Sequence, residues 1–493
     1  MHSDKVVWIS LAFVLLGSRA SILLLSCDGV LSGDGHYYFE AARHLVETGT
    51  LPPLAIQPLG YPMLISPIVA AFNKNPVVAV QNFQVLLDVG LVAALSTIAW
   101  RTLVRYSVVV AALMVVAVSI QPFTATMTCG LHTESVNMFL LTASLFMFAR
   151  SVTNNTAPVA AAFLVGLAAI TRVELIPFAV AVCCAYWLIM VGHTGWMKQR
   201  GTSLLMILIA MITPLIGLIV LQAVSTSEIG IVRWEPYTPG YYAWMRTWFA
   251  NERDYPRFHF DTGQPGWEGF RIDAYPKHAF ANAEERAQIT NLVEKWQAES
   301  YTPEIDQAFA AVAKAKRAHQ PVNYFLMIPL LRMAHFWINL DGAQTFLRVI
   351  PIKRPYSLGI VGITIALRAF FILFAAVGAA AVWKARSKSH LSLFLRALGQ
   401  ASSIFITLRT VELGILGTFV WGGLMEIRFA NIMFPAVILL AIVGVLTFTV
   451  RSHAYVMQLV IDKPVSEGRV SGKTAEEISA PRNQRWAILV KQR

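Results

Sequence analysis

Ten apolar runs dominate this chain and are candidates to cross a lipid hydrocarbon core of roughly 30 Å. Backbone N–H and C=O groups inside lipid must bond within the chain, so the runs are predicted to be helices. With 56% hydrophobic and 14% charged residues, the composition excludes an ordinary soluble protein. The sequence therefore predicts an all-α polytopic membrane protein. The runs lie at about residues 6–26, 77–100, 105–121, 133–149, 157–171, 174–192, 203–223, 357–384, 403–424 and 429–450.

We expect ten to twelve transmembrane helices, together with extracytoplasmic juxtamembrane helices and a large external loop. The first run resembles a signal peptide with a lipoprotein-type site at Cys27, but its basic flank is little more than Lys5. An uncleaved helix is therefore favoured. The segment Leu59–Phe72 is also apolar, but Pro62 and Pro67 favour a helix lying on the outer surface.

The positions of lysine and arginine predict the orientation. A cytoplasmic amino terminus places most interhelical basic clusters inside, in agreement with the positive-inside rule. The basic residues behind the net charge of +12 are then expected to face lipid headgroups, and no nucleic-acid partner is expected. We predict an integral, multi-pass protein of the plasma (inner) membrane with its active site facing the extracytoplasmic side. The clusters contain Arg101, Arg105, Arg150, Lys198, Arg200, Lys384, Arg386, Lys388, Arg396 and the tail from Arg451.

The pattern divides the chain into four parts. Residues 1–224 form an amino-terminal transmembrane module whose first external loop is 27–76, and residues 225–355 form an extracytoplasmic loop region. Residues 356–450 form carboxy-terminal transmembrane helices, and 451–493 form a cytoplasmic basic tail.

The loop region opens with an aromatic stretch, Trp234–Trp244, which suits sugar rings, the membrane interface or simple packing. Two helices are predicted next, at 283–300 and 303–319. The apolar segment Tyr324–Leu340 is either a short span or an interfacial helix. The charge rule favours the interfacial helix.

An acidic side chain in the first external loop marks the expected site. Asp34 is followed by Tyr37 and Tyr38 and by an amphipathic helix, Phe39–Thr48, that Gly49 would cap. Such a helix would lie along the membrane surface and hold Asp34 near it. Cys27 and Cys129 both fall near the outer face and could meet as a disulfide.

Further ionisable residues stand near the ends of spans, where charges are costly and often functional. The sequence alone does not decide between an ion pair and ligand contacts for Arg172 and Glu174. Arg409 and Glu412, three residues apart, are expected to neutralise each other. The remaining candidates are His132 and Glu134, Arg332 and His335, and Glu426 and Arg428.

Several short motifs occur in order along the chain: Asp34 with its Tyr and surface helix, Gln57-Pro-Leu-Gly-Tyr61-Pro, Thr133-Glu134-Ser, the Gly166–Arg172 helix end, and Glu426-Ile-Arg428-Phe before Pro435. Together these motifs resemble the GT-C glycosyltransferases, and more narrowly the protein O-mannosyltransferase and lipid A aminoarabinose transferase group. The resemblance covers most of residues 1–200 and 400–450. Gln57 stands where the aminoarabinose enzymes have lysine, and Gly35 replaces a second acidic residue of the mannosyltransferases.

The resemblance implies an inverting glycosyltransferase, a hexosyl- or pentosyltransferase of cell-envelope glycans, within a lipid bilayer. It would move a sugar from a polyprenyl-phosphate donor to a glycan, lipid or protein acceptor. Asp34 would be the base and Glu134 its catalytic partner, while Arg428 and Arg172 would stabilise the leaving phosphate. No cofactor is certain, although Asp34 and Glu134 could share a divalent metal. Substrate-binding residues would be Tyr37, Tyr38, Gln57, Tyr61, His132, Arg172, Glu174, Arg332, His335, Glu426 and Arg428.

Two other classes of function remain open on the sequence. A transporter or flippase of a lipid-linked substrate would also place arginine and glutamate along a path through the membrane, but such proteins usually contain internal repeats. No repeat is evident in this chain. A non-catalytic scaffold that binds glycolipid is the third interpretation.

Overall fold

The structure, a computed structural model, consists of helices throughout the part of the chain that it describes. The prediction of an all-α fold is confirmed for those residues. They are 13–14, 16–21, 27, 29, 31, 34–53, 57–125, 128–194, 200–230, 238–250, 272, 275–299, 301–338, 354–385, 391–419 and 432–462.

The α-helices are numbered in chain order. They are α1 (Asp34–Thr48), α2 (Gly60–Ala71), α3 (Pro76–Leu103), α4 (Val108–Ile120), α5 (Glu134–Asn154), α6 (Val159–Thr171), α7 (Leu175–Thr194), α8 (Arg200–Thr226), α9 (Pro239–Met245), α10 (Ala283–Glu299), α11 (Pro303–His319), α12 (Ile328–Ile338), α13 (Arg354–Lys384), α14 (Leu393–Phe419) and α15 (Phe434–Asp462). Contacts divide the chain into the units Met1–Thr447 and Phe448–Arg493, and the first contains α1 to α14.

Six of the described helices, α3, α5, α7, α8, α13 and α15, are long and apolar enough to cross a membrane. The expected count of ten to twelve is not confirmed. Two expected spans are the 13-residue helices α4 and α6, each only about 20 Å long. The expected span at 403–424 falls largely on α14, which contains charged residues, and only part of the run at 6–26 is described.

The amphipathic helix of the first loop is present but longer than expected, because it begins at Asp34 and not at Phe39. An aspartate in the first turn interacts favourably with the helix dipole, which the sequence interpretation had overlooked. Gly49 ends the helix with a φ of 72°, and its N–H donates to the carbonyl of Leu45 at 2.9 Å. The buried face, which includes Tyr38 and Phe39, packs on α2.

The polar insertion that follows α8 contains the two predicted helices, observed as α10 and α11. Thr302 caps α11 by accepting a hydrogen bond from the N–H of Ile305 at 3.3 Å. Aromatic side chains of α9 and the following turn pack between these helices in a hydrophobic core that includes Tyr241, Trp244 and Phe309. The packing interpretation of the aromatic residues therefore holds for those described, while residues 231–237 lie outside the described part of the chain.

Helix α5 occupies a central position because it packs against α3, α6, α7 and α14. The start of α2 lies directly against the end of α6, where a Cβ atom at Gly60 would come within 2.2 Å of the carbonyl oxygen of Ile170. The first turn of α1 approaches the turn before α5 in the same way, with Gly130 O at 2.6 Å from a Cβ placed on Gly35. Glycine at both positions permits these close approaches to the neighbouring backbone.

Candidate functional site

Arg172 lies at the centre of a charged cluster built from two segments, the start of α5 and the connection between α6 and α7. It follows the last residue of α6, where the backbone turns to an extended conformation and directs the side chain towards the start of α5. Its Nη1 donates to Glu134 Oε1 at 2.7 Å and to Thr133 Oγ1 at 3.2 Å, while its Nε donates to Glu174. The structure thus displays the ion-pair alternative for Arg172 and Glu174, with Glu134 as a second carboxylate partner.

Burial strengthens these contacts. The side chain of Glu134 is 1% exposed and that of Arg172 is 11% exposed. A carboxylate removed from water this completely needs a compensating cation, and Arg172 supplies it. Two glutamates and one arginine give the cluster one excess negative charge. The guanidinium of Arg172 is paired with both carboxylates.

Tyr38 connects Asp34 to this cluster, because it lies one turn further along α1. The phenol of Tyr38 lies within electrostatic range of Asp34, Glu134, Arg172 and Glu174, and burial raises its pKa well above the usual value. Its ring makes an edge-to-face contact with Tyr61, with ring centroids 5.1 Å apart. Tyr38 therefore stands between Asp34 at the start of α1 and the charged residues at the ends of α5 and α6.

Gln57 links Asp34 to the neighbouring Tyr37. Its side-chain Nε2 donates to Asp34 Oδ1 at 3.5 Å, and its backbone carbonyl accepts a hydrogen bond from the Tyr37 hydroxyl at 3.4 Å. Burial raises the pKa of Tyr37 to about 12, so the phenol stays protonated and available as a donor at neutral pH.

Two glutamines on α3, not anticipated from the sequence, hold the loops of the site together. Gln84 Nε2 donates to the Tyr61 hydroxyl at 2.8 Å and to the carbonyl of His132 at 2.6 Å. Gln81 accepts from the N–H of Gly29 at 3.1 Å and donates to the carbonyl of Cys129 at 2.7 Å. A sequence signal existed, because two amides three residues apart share one face of an otherwise apolar helix.

A disulfide joins Cys27 to Cys129, the pair that could meet according to the sequence. Cys27 precedes the helix that begins with Asp34, and Cys129 precedes the helix that begins with Glu134. The bond therefore covalently connects the two segments that present the candidate catalytic carboxylates.

Helix α14 brings a second ion pair close to the cluster. Arg409 Nη1 donates to Glu412 Oε2 at 2.6 Å, as the spacing predicted. Glu412 also lies within electrostatic range of Arg172 and Glu174. Among the described residues, Arg409 Nε and Nη2 and Glu412 Oε1 have no hydrogen-bond partner.

Arg332 and His335 lie on α12, which follows the helices of the polar insertion. Arg332 is 1% exposed and donates to the carbonyls of Phe249 at 2.8 Å and Arg246 at 3.4 Å. His335 contacts the carbonyl of Leu331 at 2.9 Å within its own helix. These contacts connect α12 to the aromatic core of the insertion. The other two candidates, Glu426 and Arg428, lie outside the described residues.

The described residues do not suit a divalent metal. No group of three or more His, Cys, Asp or Glu side chains that could hold an ion occurs among them. Glu134 is moreover paired with the guanidinium of Arg172, a cation that a metal ion would have to displace.

The long apolar helices and buried interhelical charges define an integral, multi-pass membrane protein. No known family matches the chain, and no curated protein sequence matches it. One solved structure with a similar chain path is the archaeal oligosaccharyltransferase AglB from Archaeoglobus fulgidus, in complex with an inhibitory peptide and a dolichol-phosphate. The TM-score is 0.43 with 13% identity, over 99% of this chain and 54% of AglB. The chain thus spans about half the length of that protein.

Proposed function

We propose that this protein is an inverting glycosyltransferase that moves a sugar from a polyprenyl-phosphate donor to an acceptor on the extracytoplasmic side of the membrane. The observation that supports it best is that Tyr38, one turn along the helix that begins with Asp34, lies within electrostatic range of both Asp34 and the Glu134–Arg172–Glu174 cluster. The motif resemblance to GT-C enzymes supports the same chemistry.

Asp34 is the proposed general base. The acceptor hydroxyl oxygen attacks the anomeric carbon and forms the new C–O bond, while its proton passes to the Asp34 carboxylate. The bond between the anomeric carbon and the phosphate oxygen breaks, and its electron pair leaves with polyprenyl phosphate. A single displacement of this kind inverts the anomeric configuration.

Glu134 is proposed to orient the acceptor, and Arg172 to hold Glu134 and Glu174 in place. Arg172 contacts two carboxylates, so its charge is less available to a departing phosphate than that of an arginine without such partners. Arg428 is the proposed phosphate-stabilising residue, because a guanidinium matches phosphate geometry. Tyr37 and Gln57 position Asp34 through the hydrogen bonds that connect them.

A transfer assay with the purified protein in lipid nanodiscs tests the proposal. Radiolabelled polyprenyl-phosphate hexoses and pentoses are supplied separately, and the release of polyprenyl phosphate is measured with and without soluble sugar acceptors. Release that depends on Asp34 supports a glycosyltransferase. Movement of the intact labelled lipid between the leaflets of sealed proteoliposomes containing the same protein, without any cleavage, would instead identify a flippase.

A further inference from the structure

A groove of about 350 Å³ runs along α1, the helix that begins with the proposed base Asp34. One wall is α1 itself, where Tyr37, Ala41 and His44 line the cavity. The other wall is Pro52–Pro53, whose position is fixed because the carbonyl of Pro52 accepts a hydrogen bond from Gln222 Nε2 at 3.0 Å. Gln222 is fully buried on α8, so the groove lies between a surface helix and a segment attached to a membrane helix.

The groove extends towards Asp34. Asp34, Tyr37, Ala41 and His44 follow one another at spacings of three, four and three residues, so they form one stripe on α1. Tyr37 stands about 4.5 Å along the helix axis from Asp34, at 1.5 Å per residue. Through Gln57, the hydroxyl of Tyr37 and the carboxylate of Asp34 also share one hydrogen-bonded unit. Tyr37, the lining residue nearest to Asp34 along α1, therefore connects one end of the groove to the carboxylate of Asp34 through Gln57.

The charges along the groove disfavour an anionic ligand. Two carboxylates, Glu40 and Glu47, line the groove with one guanidinium, Arg43. Arg43 is paired with both, at 2.6 Å to Glu40 and 3.6 Å to Glu47. The excess negative charge opposes the phosphate of a lipid-linked donor.

The same surface suits a neutral, hydroxyl-rich ring. The Tyr37 ring and the two prolines provide apolar faces against which a sugar's C–H groups can pack. The carboxylates and the His44 imidazole provide hydrogen-bonding atoms for its hydroxyl groups. Pockets of several hundred Å³ are of the size that holds small ligands.

We propose that this groove, lined by Tyr37, Ala41, His44 and Pro52–Pro53, is the acceptor subsite and that it binds a neutral sugar ring of a glycan acceptor. The inference rests on the proposed function, because an acceptor is needed only if Asp34 receives its proton. It assigns the donor phosphate to a different part of the site.

Direct binding tests the groove independently of catalysis. The probe is methyl α-D-mannopyranoside, observed by saturation-transfer NMR with the full-length protein in nanodiscs. His44→Trp would fill the groove, while Val46→Trp adds the same indole at an exposed position of α1 outside the groove. We expect saturation transfer to the probe to be lost in His44→Trp and retained in Val46→Trp. Equal signals in the two variants, or no signal with the wild-type protein, would overturn the proposal.

The transfer assay separates this inference from the proposed function. With a donor that the wild-type protein uses, His44→Trp should reduce transfer to the methyl mannoside about tenfold relative to hydrolysis of the donor by water, a difference of about 1.4 kcal/mol. An unchanged ratio of transfer to hydrolysis contradicts the groove as the acceptor subsite. If the wild-type protein cleaves no donor at all, the proposed function fails, whereas the NMR comparison still decides whether the groove binds a sugar.

Discussion

Arg172 Nη1 lies 2.7 Å from Glu134 Oε1, and this buried ion pair joins the end of α6 to the start of α5. Removing the cation alone leaves Glu134 as an uncompensated charge that is 1% exposed. We therefore expect Arg172→Ala to lower the free energy of unfolding by about 3–5 kcal/mol. Thermal unfolding of the protein in nanodiscs measures the effect.

Arg43→Ala is the matched control for that experiment. Arg43 also contacts two glutamates, but its side chain is 52% exposed, so its removal should cost less than about 1 kcal/mol. A double variant, Arg172→Met with Glu134→Met, should recover much of the lost stability because no unpaired charge of that pair remains. Equal melting temperatures for Arg172→Ala and Arg43→Ala would contradict the structural importance of the buried pair.

The Cys27–Cys129 disulfide should stabilise the site. The bond closes a loop with a sequence separation of 102 residues. Replacing both cysteines by serine should lower the free energy of unfolding by about 2–4 kcal/mol and reduce transfer, because the bond connects the segments before Asp34 and Glu134. Cys183→Ser with Cys184→Ser is the control, since both thiols are free. If the two double variants unfold and react alike, the disulfide does not support the site.

The sequence predicted much of the helical architecture, but it did not predict how polar side chains pair across helices. Apolar runs and turn residues located α3, α5, α7, α10 and α11 well because these signals are local. The roles of Gln81 and Gln84 depend on which carbonyls approach α3 in three dimensions, and no local pattern specifies that. The start of α1 was missed because Asp34 was interpreted as a loop residue and not as the first residue of a helix.

The candidate site was predictable in part, because the positions of charged residues near helix ends are a local signal whereas their partners are not. Charged residues near the ends of helices indicated Asp34, Glu134, Arg172 and Glu174, which the structure brings together. The sequence left the partner of Arg172 open, because an ion pair and a ligand contact use the same residue types. The double engagement of Arg172 appears only when α5 and α6 are placed side by side.

Arg428 should matter for donor use through its charge and its geometry. Arg428→Ala is expected to weaken use of the polyprenyl-phosphate donor more than Arg428→Lys, since lysine retains a point charge but lacks the guanidinium fork. The donor dependence of the transfer rate measures both variants. Arg451→Ala, at an exposed position of α15, is the control. Arg428 is structural if both of its variants fold normally and transfer at the wild-type rate.

The proposed orientation places the first loop and the carboxy-terminal end of α5 on opposite sides of the membrane. Asn154, at the exposed end of α5, should be cytoplasmic, and Thr50, in the first loop, should be extracytoplasmic. Single cysteines at these positions, in a Cys183→Ser, Cys184→Ser background, should therefore differ in labelling by a membrane-impermeant maleimide applied to intact cells. Position 50 should react and position 154 should not. Labelling at position 154 would contradict the proposed orientation, because the sequon Asn154-Asn-Thr156 would then face the outside.

Asp34→Asn should abolish sugar transfer without unfolding the protein. Asparagine keeps the size of the side chain and can accept the hydrogen bond from Gln57, but it cannot take a proton at neutral pH. The loss of general-base catalysis alone should lower the rate about a hundredfold to ten-thousandfold. The weaker interaction with the dipole of α1 should cost at most about 1 kcal/mol of stability, so the melting temperature should change little. Asp28, which lies outside the described residues, is the nearest competing acid, and Asp28→Asn is therefore the matched comparison. Single-turnover transfer rates at saturating donor decide between the two: a fully active Asp34→Asn protein excludes the proposed mechanism whatever the activity of Asp28→Asn.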